Sequence, residues 1–437
     1  MALVENSKNI LAPNARIQMP WIKVTIGNYT FGIFTKTAKN TKGDEGQYLT
    51  AYNVQYPNFV KSLSIKKVNG QVNQYTLSLS YPVKQNDDPN FFEKVFSSVS
   101  KTRKIVFSYG DMSMPSYIYK DEEALITSVK SNFQLPTAVI NYTVEAVSTG
   151  ALNQASNHTF LGGYKRPSDL IKNLVLYDTS SRGVHSLFPG ITASNIDQLI
   201  DSDDKFVYLV TKTNISTIDY INYLVSCMIP ANSTTNDRAN NELYVLSFHD
   251  DTTYDRIYDN DFKTNGAYLK VKKVSHKVER SDALVIDIGF GNTGTIVRKF
   301  NVSDNEGYAL MYDYNESLET ESYAQKINSQ GQWENVYAPT TTSKNNRYMT
   351  RAEDLRWWTK VTKYPITATI ELQGLLRAAS LMSYVRLNVI FPSGHKHIAS
   401  GLYLITSQTD LINEQGYSTT LGLTKISGDT DGPVFNE

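Results

Sequence analysis

The amino-acid sequence predicts a mainly β protein with α+β content, in which two β-rich units of antiparallel strands flank a mixed α+β unit. Apolar and polar residues alternate over much of 21–150 and again from about 266 onward, as in strands with one buried face. Short helical and strand patterns fill the stretch between them. A chain of 437 residues is also too long to fold around a single hydrophobic core of ordinary size. The predicted divisions are an N-terminal extension at 1–20, a β-rich domain with one helix at 21–150, an α+β middle domain at 151–265, and a second β-rich domain at 266–437 with a polar excursion near 315–360.

The first β unit has a hairpin signal and one helix signal. Asn69-Gly70 separates two alternating runs, and both residue types tolerate the positive φ angles of a tight turn. Asp88 can cap a helix that Pro89 opens, and aromatic and valine residues then recur at helical spacing. We therefore expect an antiparallel sheet closed around one packed helix.

The middle and last regions contain further element signals. Ser216 can cap a helix running from Thr217 to Cys227, and Pro230 ends that apolar stretch. Alternation returns in the last region, where it predicts strands near 284–288, 296–300, 366–371, 385–390, 401–407 and 417–426.

Composition excludes several functional classes. The charges balance, with 43 Lys+Arg against 43 Asp+Glu, so the total does not indicate a nucleic acid, a membrane or an acidic ligand as partner. Cys227 is the only cysteine, lies in an apolar run and is expected to be a small buried hydrophobe. No stretch approaches the roughly 18 apolar residues that span a bilayer, which predicts no stable membrane insertion and assembly in a cytoplasm.

One glycine pattern matches the spacing found in cofactor-binding loops. Gly289, Gly291 and Gly294 have the spacing of a dinucleotide-binding loop and follow an apolar strand. Phosphate binding there requires a helix N-terminus directly downstream, whereas residues 295–302 alternate as a strand does. We interpret the glycines as a turn and expect no cofactor.

The remaining polar clusters also have ordinary explanations. His395 and His397 could share one side of a hairpin tip, but no third ligand is near in sequence. His249 begins a polar loop, and the carboxylate clusters at 121–123 and 201–204 lie in predicted loops or helix starts. The sequence therefore predicts no catalytic, cofactor-binding or metal-binding residues, and a protein that is not an enzyme.

The C-terminal stretch carries a recognisable pattern. A strand that begins Ser-Gly-x-Tyr is followed by a short loop and then by Gly-Tyr-x-Thr-x-Leu-x-Leu, at 400–403 and 416–423. This pattern resembles the end of the baseplate hub proteins of contractile bacteriophage tails. The stretches 214–221 and 88–92 likewise resemble the helix starts of the middle and first domains of that family.

The resemblance implies a fold and an assembly. Two tail-tube-like barrels per chain would flank the α+β domain, and three chains would form a ring with six barrel positions. The implied function is a structural baseplate hub subunit of a phage tail or related injection machine. It would be a trimeric symmetry adaptor that joins the hexameric tail tube to the central spike.

The implied partners are a second and third copy of the chain, the tail tube protein, the central spike protein and other baseplate proteins. The genome would pass through the lumen without specific binding. The implied location is the tail baseplate of the virion, with assembly in the host cytoplasm.

Other functions fit the same composition. A distal tail protein, or a receptor- or carbohydrate-binding tail protein, would also be rich in strands, Tyr and Asn. A glycosidase is a third class, which turnover of cell-wall material would reveal.

Overall fold

The computed structural model describes most of both β-rich regions and of the region between them. The described residues are 20–34, 55–57, 59–84, 87–111, 119–154, 157–176, 188–231, 243–250, 267–274, 283–289, 297–304, 323–327, 333–337, 366–372, 381–413 and 415–427. The predicted extension at 1–20 lies outside them except for Pro20, and the polar excursion near 315–360 lies outside them except for two short strands.

The elements follow one another in three groups. The first contains β1 (Pro20–Ile26), β2 (Tyr29–Phe34), β3 (Tyr56–Pro57), β4 (Val60–Val68), β5 (Gln74–Pro82), α1 (Phe91–Ser98), β6 (Lys104–Asp111), β7 (Tyr119–Gln134) and β8 (Val139–Ser148). The second contains β9 (Asn157–Phe160), β10 (Gly163–Lys165), α2 (Pro167–Leu176), α3 (Ile196–Leu199), β11 (Val207–Leu209), β12 (Lys212–Ser216), α4 (Thr217–Ser226), β13 (Tyr244–His249) and β14 (Tyr268–Lys273). The third contains β15 (Ala283–Gly289), β16 (Val297–Asp304), β17 (Tyr323–Ile327), β18 (Trp333–Tyr337), β19 (Ile366–Leu372), β20 (Tyr384–Ile390), β21 (Gly401–Asn413) and β22 (Gly416–Ser427).

One large sheet dominates the fold, which confirms the mainly β class. Its strands lie in the order β16-β19-β22-β21-β4-β5-β8-β7-β6-β1-β2-β3, and β20 and β15 attach beside β21. Most neighbours are antiparallel, whereas β15–β20 and the short β2–β3 pair are parallel. Strands from both β-rich regions thus belong to one sheet, because β4 pairs with β21 from Ser62↔Asn413 to Val68↔Ser407.

Hydrophobic burial divides the molecule into three main cores. The first lies between one face of the sheet and α1, where Phe92 is fully buried and stacks on Phe31 with ring centroids 5.4 Å apart. The second gathers α2, α4 and the β13–β14 hairpin of the middle region. The third lies under β15, β19, β20 and the first half of the β21–β22 hairpin. The far half of that hairpin contributes Ile412 and Tyr417 to the first core, so it spans two cores.

Two helix starts test the sequence analysis. The cap of α4 is confirmed, because Ser216 Oγ accepts a hydrogen bond from the Asp219 N–H at 3.1 Å. The predicted start of α1 at Pro89 is wrong by two residues, because the helix begins at Phe91 after Asn90. The Asp88 carboxylate instead closes a turn by accepting the Asn90 N–H at 2.9 Å, and it also pairs with Lys94.

The two ends of the sheet are different. The turn between β4 and β5 faces the middle region, where the Gly70 N–H donates to the Leu246 carbonyl at 2.7 Å and Asn222 Nδ2 donates to the Gly70 carbonyl at 2.8 Å. The β7–β8 and β21–β22 turns lie at the opposite end, as the strand registers show. The described part of the middle region therefore contacts the end of the sheet at which β4 turns into β5.

The β21–β22 turn generates a stability prediction. Gly416 has a φ of 141°, which a residue with a branched Cβ adopts only under strain, and Tyr417 beside it is buried in the first core. Gly416→Val is expected to lower the free energy of unfolding by about 1–3 kcal/mol in denaturant titrations. Ser418→Val adds the same side chain at an ordinary φ on the same hairpin and serves as the control. An unchanged midpoint for Gly416→Val would refute the role assigned to this turn.

Candidate functional site

The structure shows the surroundings of the glycine pattern at 289–294 and of the single cysteine. Gly289 ends β15, residues 290–296 lie outside the described part of the chain, and the next described element is strand β16 rather than a helix. The strand predicted there is confirmed. Cys227 is buried at the end of α4, as predicted.

The histidines of the described residues do not gather into a metal-binding group. His397 lies in the turn between β20 and β21, where its Nδ1 accepts the Ala399 N–H at 3.1 Å. His249 Nε2 lies 2.7 Å from Ser247 Oγ, and its ring stacks on Tyr268. No group of three or more His, Cys, Asp or Glu side chains with metal-binding geometry occurs within the described ranges.

The carboxylate cluster at 201–204 contributes to structure in the middle region. Asp201 pairs with Lys272 at 2.8 Å and Asp203 with Lys273 at 2.7 Å. Burial opposes ionisation of Asp203, but hydrogen bonds from Lys273 and Tyr244 outweigh it and lower the pKa of that carboxyl. Asp204 accepts the Ser168 N–H at the start of α2, and burial raises the pKa of Asp204.

A broad polar face crosses eight neighbouring strands of the large sheet, from β16 to β7. In several rows the cross-strand partners on this face are Ser or Thr. They share one face because the alternation of period two stays in register from strand to strand. The rows include Ser64↔Thr76, Ser62↔Ser78↔Thr143 and Thr409↔Thr420. The opposite face of the same strands forms the first and third cores.

The charges on this polar face nearly cancel. Lys130 on β7 pairs with Glu145 on β8 at 2.6 Å, and both side chains are largely exposed. Glu371 faces Lys299 across the β16–β19 pair. The face is therefore hydrophilic but carries no dense charge of one sign in its described part.

The first boundary of this eight-strand segment is the second half of β7. β8 pairs with one edge of β7 from Ala124 to Gln134, whereas β6 pairs with the other edge only up to Leu125. Over 127–134 that other edge has no strand partner among the described residues. Val129 and Phe133 here are 40% and 58% exposed, although they lie on the face that forms the core elsewhere.

The second boundary is β16. It pairs with β19 along one edge, and no described strand pairs with its other edge. Val302 lies on the core face and is 38% exposed. Seven consecutive antiparallel pairings separate β16 from β7, so these two boundary strands run in opposite directions.

A groove lies beside the β7 edge. Its volume is about 290 Å³, and Phe96 and Val99 of the α1 region line it together with Ile126 and Val129 of β7. The register of β7 against β8 shifts between Ile126 and Ser128, which bends the strand where the groove begins. The sequence analysis did not find this site, because pairing edges are set by topology and have no sequence motif.

The middle region carries an exposed aromatic pair. Tyr164 is 70% exposed and stacks on Phe206 with ring centroids 5.7 Å apart. The Arg166 guanidinium lies 4.8 Å from the centre of the Phe206 ring, and Leu161 nearby is 71% exposed. Tyr, Phe and Arg at an exposed position are residue types that often bind partners.

Within the described residues, every helix falls short of the length and hydrophobicity that crossing a bilayer requires. Neither a protein family nor a curated protein matches the chain.

Some solved structures are similar to it. A tail protein from Neisseria meningitidis MC58 is 9% identical with a TM-score of 0.47, over 93% of this chain and 97% of that one. A 43 kDa tail protein of prophage MuSo2 from Shewanella oneidensis is 8% identical with a TM-score of 0.48, over 93% and 98%. An E. coli type VI secretion component, described as structurally similar to two T4 bacteriophage tail proteins, is 10% identical with a TM-score of 0.46, over 86% and 75%. Because these sequence identities and TM-scores are low, the function proposed for this chain rests on the geometry of the sheet.

The glycine turn generates a binding prediction. Since strand β16 follows Gly289–Gly294 where a phosphate site would need a helix, the protein is expected to show no saturable binding of a fluorescent NAD or ATP analogue at micromolar concentration. Fluorescence anisotropy measures this directly. Saturable binding that disappears in Gly291→Val would contradict the prediction.

Proposed function

We propose that the chain is a structural baseplate hub subunit of a phage tail or related injection machine, acting as a trimeric symmetry adaptor between a hexameric tail tube and a central spike. The observation that carries this proposal is the pair of open boundary strands, β7 and β16, at the two sides of one eight-strand segment. Within the described residues neither edge has a strand partner along its outer side, and a sheet edge of this kind needs a partner strand or protection.

The two boundaries fit each other. Because β7 and β16 run in opposite directions, β7 of one copy can pair antiparallel with β16 of the next, as every neighbouring pair within the segment does. Such a pairing is head-to-tail, so it closes into a ring when the rotation per copy divides a full turn. It would also cover Val129, Phe133 and Val302 and continue both faces of the sheet.

The strand count favours the adaptor function. Four strands of the segment, β16, β19, β22 and β21, come from the last region, and four, β4, β5, β8 and β7, come from the first. Three copies would therefore present six four-strand units around one ring, which matches a hexameric tube. Three middle regions at one end of that ring would present threefold symmetry to a spike.

The faces of the sheet favour a conduit. A ring of three such segments contains 24 strands, and a spacing of about 4.8 Å gives a circumference of roughly 115 Å. Barrels of about 16–18 strands already leave an aqueous channel. With its apolar face outside against α1, the ring would line its lumen with the Ser- and Thr-rich face, which offers a passing genome neither an apolar surface nor dense charge.

This function needs no chemistry. The proposal assigns no catalytic, cofactor-binding or metal-binding residue, and its partners are the chain itself, the tail tube protein, the spike protein and other baseplate proteins. The domain divisions at 150 and 265 remain part of the proposal, as do location in the virion and assembly in the host cytoplasm.

Assembly state tests the proposal. Light scattering is expected to give a trimer for the pure protein, or a trimer once the tube or spike partner is added, with an interface on the order of 2,000 Å². Val129→Lys places a charge at the open β7 edge and is expected to abolish the trimer. Thr76→Lys places the same side chain at an exposed position in the middle of the sheet and should leave the trimer intact.

Two other results would contradict the hub assignment. A monomer under both conditions would remove the ring, and a closed ring of six copies would favour a distal tail protein, in which each chain supplies one barrel position.

The exposed Tyr164–Phe206 pair favours a second candidate function, a receptor- or carbohydrate-binding tail protein. Sugar rings stack on exposed aromatic faces through their apolar side, so a glycan array is expected to show binding that Tyr164→Ala abolishes if this candidate is right. Tyr29→Ala, at an aromatic residue packed against the first core, is the control. An array without signal would rule out the glycan-binding candidate and leave the hub as the remaining proposal.

A further inference from the structure

A buried polar cluster lies where the three regions of the chain meet, and the proposed function does not use it. Its charged members are Lys67 of β4, Glu122 of β7, Asp410 of β21, and Asp250 directly after β13 in the middle region. None of these residues is exposed beyond 7%. The cluster therefore joins strands of both β-rich regions to the middle region through side chains that water does not reach.

The contacts form one connected network. Lys67 Nζ lies 2.6 Å from Glu122 Oε1. The Tyr75 hydroxyl lies 3.0 Å from Glu122 Oε2 and 3.2 Å from Asp250 Oδ2, so it links the two carboxylates. The Tyr109 hydroxyl donates to Glu122 Oε2 at 3.1 Å.

Asp250 is the only charged residue in this network that comes from the middle region. Its carboxylate accepts a hydrogen bond from Asn73 Nδ2 at 2.6 Å and one from Ser148 Oγ. Both donors lie at the end of the sheet that the middle region covers. The Asp250 side chain thus extends from the middle region into the first region and is bound there by hydrogen bonds.

Asp410 completes the cluster on the side of the last region. Gln408 Nε2 and Thr419 Oγ1 donate to its two oxygens at 2.7 and 2.6 Å, and Tyr417 is a further partner. Lys67 interacts electrostatically with both Asp410 and Asp250. Across β4, β5, β6, β7, β8, β21, β22 and the end of β13, the described part of the network therefore contains three carboxyl groups and a single ammonium group.

This charge count has a physical consequence. A buried carboxylate is tolerated when a cation or several donors compensate it, and one lysine cannot neutralise three carboxylates. Burial raises the pKa of Asp250 to about 6, with Glu122 adding to the shift and Lys67 opposing it. Burial likewise raises the pKa of Asp410 to about 6.

We propose that this cluster is a proton-dependent joint, in which uptake of a proton tightens the attachment of the middle region to the sheet and loss of the proton loosens it. The joint would make the position of the middle region responsive to pH while the sheet, with its own cores, keeps its structure. This is a regulatory property beyond the proposed hub function, and it holds for a monomer as well as for a ring.

The sign of the pH dependence follows from linkage. An aspartate in a detached, solvated segment has a pKa near 3.9, whereas Asp250 in the attached state has a pKa of about 6. Between these two values the attached state binds a proton that the detached state releases. The attachment is therefore strongest at the acidic side, weakens as the pH rises from about 4 to 6, and stays weaker above pH 6.

Amide hydrogen exchange of the intact protein tests the joint. Peptides covering β13 and β14 report detachment of the middle region, and their rates are corrected for the intrinsic pH dependence of exchange. Between pH 5 and 7.5, the opening equilibrium of these strands is expected to rise about tenfold for one carboxyl with this shift. Peptides covering β16, whose described partner strand β19 carries no member of the cluster, should change less.

Matched variants separate the joint from general pH effects. Asp250→Asn cannot ionise and is expected to remove the tenfold change, whereas Asp197→Asn, at an exposed carboxylate of the same region, should keep it. Glu122→Gln, which removes one competing charge, is expected to reduce the change and serves if Asp250→Asn does not fold. A wild-type opening equilibrium that is equal at both pH values, or an Asp250→Asn variant that keeps the full change, would overturn the proposal.

Discussion

The pairing of β4 with β21 is the constraint on which the rest of the molecule depends. It joins residues 62–68 to residues 407–413, which are separated by most of the chain, and it makes one sheet out of strands from both β-rich regions. The β21–β22 hairpin then has to contribute to two cores, since Tyr403 and Leu421 lie in the third core and Ile412 and Tyr417 lie in the first. Contacts at such sequence separation form late and slowly, because the intervening chain must first be ordered.

A continuous sheet also keeps its alternation in phase. Because side chains alternate with a period of two, a slip of one residue in any of the seven pairings from β16 to β7 would turn part of the polar face into the core. The buried residues Leu63, Leu77, Val144 and Leu421 all lie on one face, and their neighbours Ser64, Thr76, Thr143 and Thr420 lie on the other. Within the described strands the two faces therefore end together at β7 and β16, and the proposed pairing of these edges between copies would extend both faces.

The joint at Lys67, Glu122, Asp250 and Asp410 lies at the end of the same sheet where the middle region is attached. Buried charge rarely adds stability, but it restricts the geometry in which its partners are satisfied. Here the hydrogen bonds of Asn73, Tyr75 and Ser148 to Asp250 define one position of the middle region relative to the sheet. Apolar packing alone, as at Val274 and Leu404, is less directional.

The sequence by itself determined the local features of this protein. Alternation predicted the strands near 284–288 and 385–390, Ser216 predicted the start of α4, and the alternation after Gly289–Gly294 predicted the strand that follows these glycines, because each depends on neighbours along the chain. Only the tertiary structure decided that β4 pairs with β21, that the described part of this eight-strand segment is bounded by β16 and the second half of β7, and that Asp250 reaches Tyr75. Strand pairing and buried charge networks depend on residues hundreds of positions apart, and a period of two shows which face is buried but not which strand lies alongside.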